Sequence, residues 1–295
     1  AALDAGATCS VTVSYSPVGV ETATSSLVFN YSDGLNPASV SVSLAAQGAF
    51  RPGTKDLTFG TLGSFEYLYP NAIGSYPSGL SVRPDGSILI GGTAEGGIPI
   101  FPNPAIITLQ LTTNGDLDQN YGIGGVTSES NLGAGVSTND FQVNDLGEMY
   151  FAGFTPRRQI LSVKMLSSGT VNTDYGVGGY NIYPSSGKAD LATKIYIDPS
   201  DGSSVRVGQF NLNDIIQKLT PNGVLDPIFG TNGTLTYDVG GSIDNIRFVG
   251  KQSTGKYIAG GFSRIIGSLF HNSISLFRYN PDGTFDSTSN FGSGT

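Results

Sequence analysis

Residues 223–233 read GVLDPIFGTNG, and the stretch recurs along the chain. GDLDQNYGIGG occupies 115–125 and GTVNTDYGVGG occupies 169–179. Looser copies stand at 55–63 (KDLTFGTLG) and 283–294 (GTFDSTSNFGSG). The aromatic-Gly pairs fall at Phe59, Tyr121, Tyr175, Phe229 and Phe291, separated by steps of 62, 54, 54 and 62 residues. Self-similarity at a fixed period of this size marks a repeat architecture, in which one unit buries its apolar face by stacking on the next.

The segments between the copies repeat as well. A first strand ends in a turn at 79–86 (GLSVRPDG), 141–147 (FQVNDLG), 195–202 (IYIDPSDG) and 246–255 (IRFVGKQSTG). A second follows at 88–93, 149–154, 205–210 and 257–262, and a third at 106–111, 160–165, 214–219 and 274–279. The Asp-Gly and Thr-Gly steps between the first two are hairpin chemistry, because glycine accepts positive φ. A fourth strand is expected at 64–70, 180–184 and 234–238, with a weaker one near 125–129. Four short strands per unit of 54–62 residues is the layout of a β-propeller blade. The expected fold is all-β, a propeller of about four blades. It forms either a closed four-blade ring, latched when residues 64–70 complete the last blade, or part of a larger ring.

The bulk numbers agree. Glycine is 42 of 295 residues, twice the usual share of about 7%, and charged residues are only 13%. Such a composition favours strands and tight turns over helices. The net charge of −8 leaves no basic stripe for nucleic acid. No apolar run approaches the roughly 18 residues of a membrane span, so no direct membrane insertion is expected. No signal peptide is recognisable, and the first residues read like the middle of a domain, so one lost upstream is an expectation.

The parts resemble the delta-60 repeat, with SVRPDGSILIGG (81–92) and LTPNGVLDPIFGTNG (219–233) as the closest matches. Residues 208–209 (Gly-Gln) and Asn172 depart from it. The resemblance covers about 240 residues and implies a propeller of bacterial secreted or surface proteins, giving architecture rather than a ligand. Within the repeat motif, Asp118, Asp226 and Asp286, with Asn172 standing in, are expected to accept backbone N–H groups in their own turn. Tyr121, Tyr175, Phe229 and Phe291 are expected to plug the seams between blades. Gly122, Gly176, Gly230 and Gly292 let the chain reverse.

Residues 1–48 differ from the rest of the chain. Three runs alternate with period two, at 9–15, 27–31 and 40–44, which describes antiparallel strands with one buried face. The pattern AGATCSVTVSYSP…SSLVFNYSDG…VSVSLAAQGA resembles the closing half of a choice-of-anchor D module and implies an N-terminal immunoglobulin-like partial β-sandwich over 1–48. That resemblance implies a partner for Cys9 upstream; the alternative is that Cys9, the single cysteine, is a small buried apolar residue. Residues 49–54 form a linker and 55–295 the propeller.

Catalytic constellations are not visible. His271 is the single histidine, which excludes most histidine-based triads and multi-histidine metal sites. No glycine-rich strand-to-helix phosphate loop is present. Asn280, Asp282 and Asp286 lie close enough in sequence to offer oxygen ligands to Ca²⁺, although the same positions recur elsewhere as plain turns. No other cofactor is expected. The unit lengths are more informative. Units one and four carry longer, apolar loops between their second and third strands, with Ile98, Ile100 and Phe101 in one and Ile265, Ile266, Leu269 and Phe270 in the other. Exposed apolar patches mark interaction sites, so these seven residues are the candidate partner-binding set. The sequence therefore points to a non-enzymatic, extracellular or cell-surface bacterial protein whose propeller acts in adhesion or recognition of protein or carbohydrate. Two alternatives are a self-assembling subunit of a surface filament or layer, and a propeller glycosidase or lyase.

Overall fold

The computed structural model describes residues 11–14, 22–32, 36–47, 54–96, 105–132, 136–188, 190–237, 244–264 and 272–287. The chain divides into two compact units, Ala1–Ser64 and Phe65–Thr295.

In the first unit, β1 (Thr22–Ser32) and β2 (Pro37–Gln47) form an antiparallel hairpin. Alternation sets its register: Leu27 faces Val42 and Phe29 faces Val40, so the apolar side chains share one side. Two of the three expected strands thus form. Residues 11–14 of the remaining run carry no strand, and Cys9 lies outside the described residues. Residues 55–64 fold as a turn in which the Asp56 carboxylate accepts the Thr58 amide at 2.9 Å and its hydroxyl at 2.6 Å.

The second unit contains β3 (Ala72–Val82), β4 (Ile88–Gly96), β5 (Ala105–Leu111) and β6 (Val126–Glu129) as its first sheet. The second sheet holds β7 (Ser137–Val143), β8 (Met149–Phe154), β9 (Ile160–Met165) and β10 (Tyr180–Tyr183). The third holds β11 (Leu191–Ile197), β12 (Ser204–Phe210), β13 (Asn213–Leu219) and β14 (Thr234–Tyr237). The fourth holds β15 (Asp244–Lys251), β16 (Tyr257–Arg264) and β17 (Asn272–Tyr279). Every sheet is an antiparallel meander in sequence order, as tight glycine turns between strands require.

The sheets pack in a row. β7 lies on β3 and β4; β11 lies on β7, β8 and β9; β15 lies on β11, β12 and β13. The core is therefore a series of seams. One seam joins Leu89, Ile106 and Tyr121 of the first sheet to Phe141, Phe151 and Val163 of the second. Another joins Val207, Ile216 and Phe229 of the third to Ile246, Tyr257 and Phe277 of the fourth. Among the described residues, no extended contact joins the fourth sheet to the first.

Residues 64–70 differ from expectation. They form no strand, and β17 has β16 as its one neighbour in the sheet among the described residues. Phe65, Tyr67 and Tyr69 instead pack against Ala94, Ala105, Ile107 and Leu109 of the first sheet. Three alternating aromatics find an apolar surface there, which outweighs unpaired backbone groups that water satisfies.

Candidate interaction faces

Three copies of the repeat motif share one turn geometry. The side-chain oxygen of Asp118 accepts the Asn120 amide at 3.0 Å, Asn172 accepts the Asp174 amide at 3.1 Å, and Asp226 accepts the Ile228 amide at 3.2 Å. Tyr121, Tyr175 and Phe229 are buried in the seams. Tyr121 donates to the Met149 sulfur of the next sheet at 3.7 Å, and Phe229 meets Tyr257 of the next sheet edge-on at 6.0 Å. The glycine that opens the following turn gives each aromatic its space. A Cβ at Gly223 would stand 2.6 Å from the Tyr175 ring, and Gly223 has a φ of +73°. The motif glycines also tie neighbouring blades, since Gly176 N–H donates to the Asn222 carbonyl at 2.7 Å and Gly230 N–H to the Asp282 carbonyl at 2.8 Å. Gly122 takes the same positive φ, 54°, in the first motif. Phe291 and Gly292 lie outside the described residues.

The motif carboxylate has a second role that the sequence reading missed. It pairs with the side chain eight residues upstream on the third strand. Gln110 donates to Asp118 at 2.7 Å, Lys218 pairs with Asp226 at 2.9 Å, and Arg278 pairs with Asp286 at 2.5 Å. In the second blade Asn172 cannot neutralise Lys164, and Glu148 takes over at 2.9 Å. The spacing of eight between a carboxylate and a donor was present in the sequence as a signal. Asp286 also accepts Lys256 at 2.8 Å. Two cations on one carboxylate oppose calcium at this place, while Asp282 accepts the Thr284 amide and hydroxyl.

A further set of ties runs between blades. Each first strand carries a β-bulge, and in the first three blades its extra residue points a side chain at the next blade. The Ser78 hydroxyl donates to the Thr138 carbonyl at 2.9 Å, Asn139 to the Ala192 carbonyl at 2.7 Å, and Thr193 to the Ile246 carbonyl at 2.5 Å. Asp140 accepts Lys194 and the Ile195 amide, and Lys251 pairs with Asp198. Burial raises the Asp198 pKa, but Lys251 and the Ser200 hydroxyl and amide together hold it below the usual carboxylate value. Arg206 is fully buried between the second and third sheets. Desolvation pushes its pKa down to about 10, and its donors reach Ser162, Asn181 and Gln217 rather than a carboxylate.

These ties involve many of the ionisable groups of the described blades. Among the described residues no cluster of three or more His, Cys, Asp or Glu side chains is placed to hold a metal. Exposed apolar side chains occur in every blade, such as Leu146 and Val177 in the second and Ile228 in the third, and the strand faces at the two ends of the row carry further ones. On the fourth sheet, Phe248 and Leu276 close over Gly260, at 45% and 51% exposure, and Ile274 is 86% exposed. On the first sheet, Leu80 and Val82 are exposed at 64% and 62%. Beside Leu80 an apolar cleft of about 150 Å³ is lined by Phe65, Tyr67, Tyr76, Ile90, Ile107 and Leu109. The partner-binding set expected from sequence, Ile98, Ile100, Phe101, Ile265, Ile266, Leu269 and Phe270, lies outside the described residues, as does His271.

Residues 83–121 and 252–288 match the family described as "Domain of unknown function (DUF5122) beta-propeller". The β-propeller domain of the trilobed protease from Pyrococcus furiosus, described as having an open velcro topology, is similar in structure at 7% identity and a TM-score of 0.39. The similarity covers 71% of this chain and 55% of that one, so the chain spans about half the length of this neighbour. No curated protein matches the sequence. The family match and the row of antiparallel sheets make this a β-propeller fold.

Proposed function

We propose that the protein is a non-enzymatic recognition module of a bacterial secreted or cell-surface protein, a delta-60-type propeller that binds protein or carbohydrate in adhesion. Its β1–β2 hairpin is read as part of an immunoglobulin-like module carried ahead of the propeller. The observation behind this reading is the division of labour among side chains. Carboxylates and cations of the described blades tie strand to strand and blade to blade, whereas aromatic and aliphatic groups remain exposed. A cleft with Phe65, Tyr67 and Tyr76 on its walls offers flat apolar faces with hydroxyl rims, a chemistry suited to sugar rings or to an apolar side chain. Glycosidase work would instead need two uncommitted carboxylates facing each other across about 5–9 Å.

The test is binding of the labelled full chain to bacterial cells and a glycan panel, with and without calcium. Two variants accompany it: Tyr67→Ala for the cleft, and the pair Phe101→Ser, Leu269→Ser for the long loops. Saturable binding lost in either variant supports recognition and locates it. Absence of binding to every surface overturns it. A second reading, a structural subunit of a filament or layer, is favoured by the exposed faces at both ends of the row.

A further inference from the structure

The structure assigns a head-to-tail partner to these end faces: we infer that the trailing face of the fourth sheet docks on the leading face of the first sheet in a second copy of this chain. The inference rests on the second reading above and names its interface. It stands on the repeat register, which makes each end the counterpart of a surface that the same chain buries between blades.

The trailing surface of each blade is one row of paired residues across three strands. The rows are Gly79–Gly91–Thr108, Asp140–Ala152–Ser162 and Lys194–Val207–Ile216, and the fourth is Phe248–Gly260–Leu276. Thr108, Ser162 and Ile216 are buried under the next blade, but Leu276 is 51% exposed. Two residues earlier on the same side, Ile106, Ile160 and Asp214 are buried, whereas Ile274 is 86% exposed. The leading surfaces follow the same logic. Phe141 and Ile195 are buried against the preceding blade, and their counterpart Leu80 is 64% exposed.

Two further features complete the match. The bulge residue reaches the next blade's carbonyl in three blades, from Ser78, Asn139 and Thr193. The fourth bulge residue is Arg247, an exposed donor lying over the Phe262 ring, and the carbonyl at the matching position of a leading face belongs to Pro77. The fourth sheet has three strands among the described residues, and residues 65–69 lie on the leading face of the first sheet without a sheet of their own. In register, Leu276 occupies the position of Thr108, Ser162 and Ile216, whose fourth-strand partners are Thr127, Asn181 and Leu235. Phe65 of a second copy holds that partner position. The docked copy thereby adds a fourth strand to β17 and covers Phe248, Ile274 and Leu276, as occurs when an edge strand accepts another chain. Such an interface is heterologous, so it propagates or closes into a ring of copies.

The experiment uses the full chain and sedimentation over a concentration series. Leu80→Asp disables the leading face and Leu276→Asp the trailing face; both positions are exposed, so the monomer fold is retained, which circular dichroism checks. Wild type is expected to grow with concentration, each variant alone to stay monomeric, and an equimolar mixture of the two to form a dimer and nothing larger. Arg247→Ala is expected to weaken wild-type association several-fold. A wild type monomeric throughout overturns the proposal, as does a mixture that stays monomeric or a single variant that still associates. Monomeric wild type whose melting temperature falls in both variants would show instead that the chain closes on itself. Failure of glycan and cell binding leaves these outcomes untouched, so the two readings fail separately.

Discussion

Replacing Phe229 by alanine tests the role of the motif aromatic most sharply. The ring is fully buried between the third and fourth sheets, edge-on to Tyr257 at 6.0 Å, and the backbone of Gly283 lies against it. Truncating a buried phenylalanine costs about 3–5 kcal/mol. Loss of the edge-on pair lies at the upper end of that range, because such pairs contribute about 1 kcal/mol beyond area. With a urea slope of about 3 kcal/mol/M, a loss of about 4 kcal/mol lowers the midpoint by more than 1 M. The chain has no tryptophan, so far-UV circular dichroism or tyrosine fluorescence is the signal. Ile228→Ala is the control: the neighbouring side chain is 76% exposed, and its loss should stay within about 0.5 kcal/mol. Equal midpoints for Phe229→Ala and Ile228→Ala would refute the seam argument.

Three further outcomes are expected of the same structure. Gly223→Ala should cost about 2–4 kcal/mol, from left-handed strain together with a clash on the Tyr175 ring, and a thermal midpoint equal to wild type would contradict it. Asp286→Asn strands Lys256 and Arg278, both partly shielded, and should cost roughly 2 kcal/mol in urea unfolding; Lys256→Met added to it should recover part of the loss. Asp198 has a lowered pKa in the fold, so its stabilisation is complete above the unfolded value of about 3.9 and disappears as pH falls through the folded value. Asp198→Asn should therefore lower the melting temperature at pH 7 and flatten its decline below about pH 4; parallel curves for the two proteins would rule this out.

Much of the architecture was legible in the sequence for local reasons. Glycine turns and period-two runs act within a few residues, so strands such as β8, β12 and β16 fell where expected. The turn bonds at Asp118, Asn172 and Asp226 and the burial of Tyr121, Tyr175 and Phe229 are local to a motif that carries both parts of its own geometry. The pairing of Lys218 with Asp226 left a signal in the recurring spacing of eight, whereas that of Glu148 with Lys164 left none, because it depends on which strands align across a sheet. Residues 64–70 were misplaced because an alternating aromatic run serves equally as a strand or as a cover for apolar surface; Ile107 and Leu109 decided it. The exposed ends were invisible too. Leu276 and Ile216 occupy the same register position, and only the presence of a next blade makes one buried and the other not. The long apolar loops are legible in the sequence as insertions and lie outside the described residues.

Amide hydrogen exchange on the monomeric chain tests the open row of blades most directly. The second and third sheets are covered on both sides, so peptides spanning 149–165 and 204–219 should exchange slowest, and those spanning 72–82 and 272–279 markedly faster. Equal protection of the first and last sheets with the two middle ones would contradict the account, because it would require a blade already seated on each end.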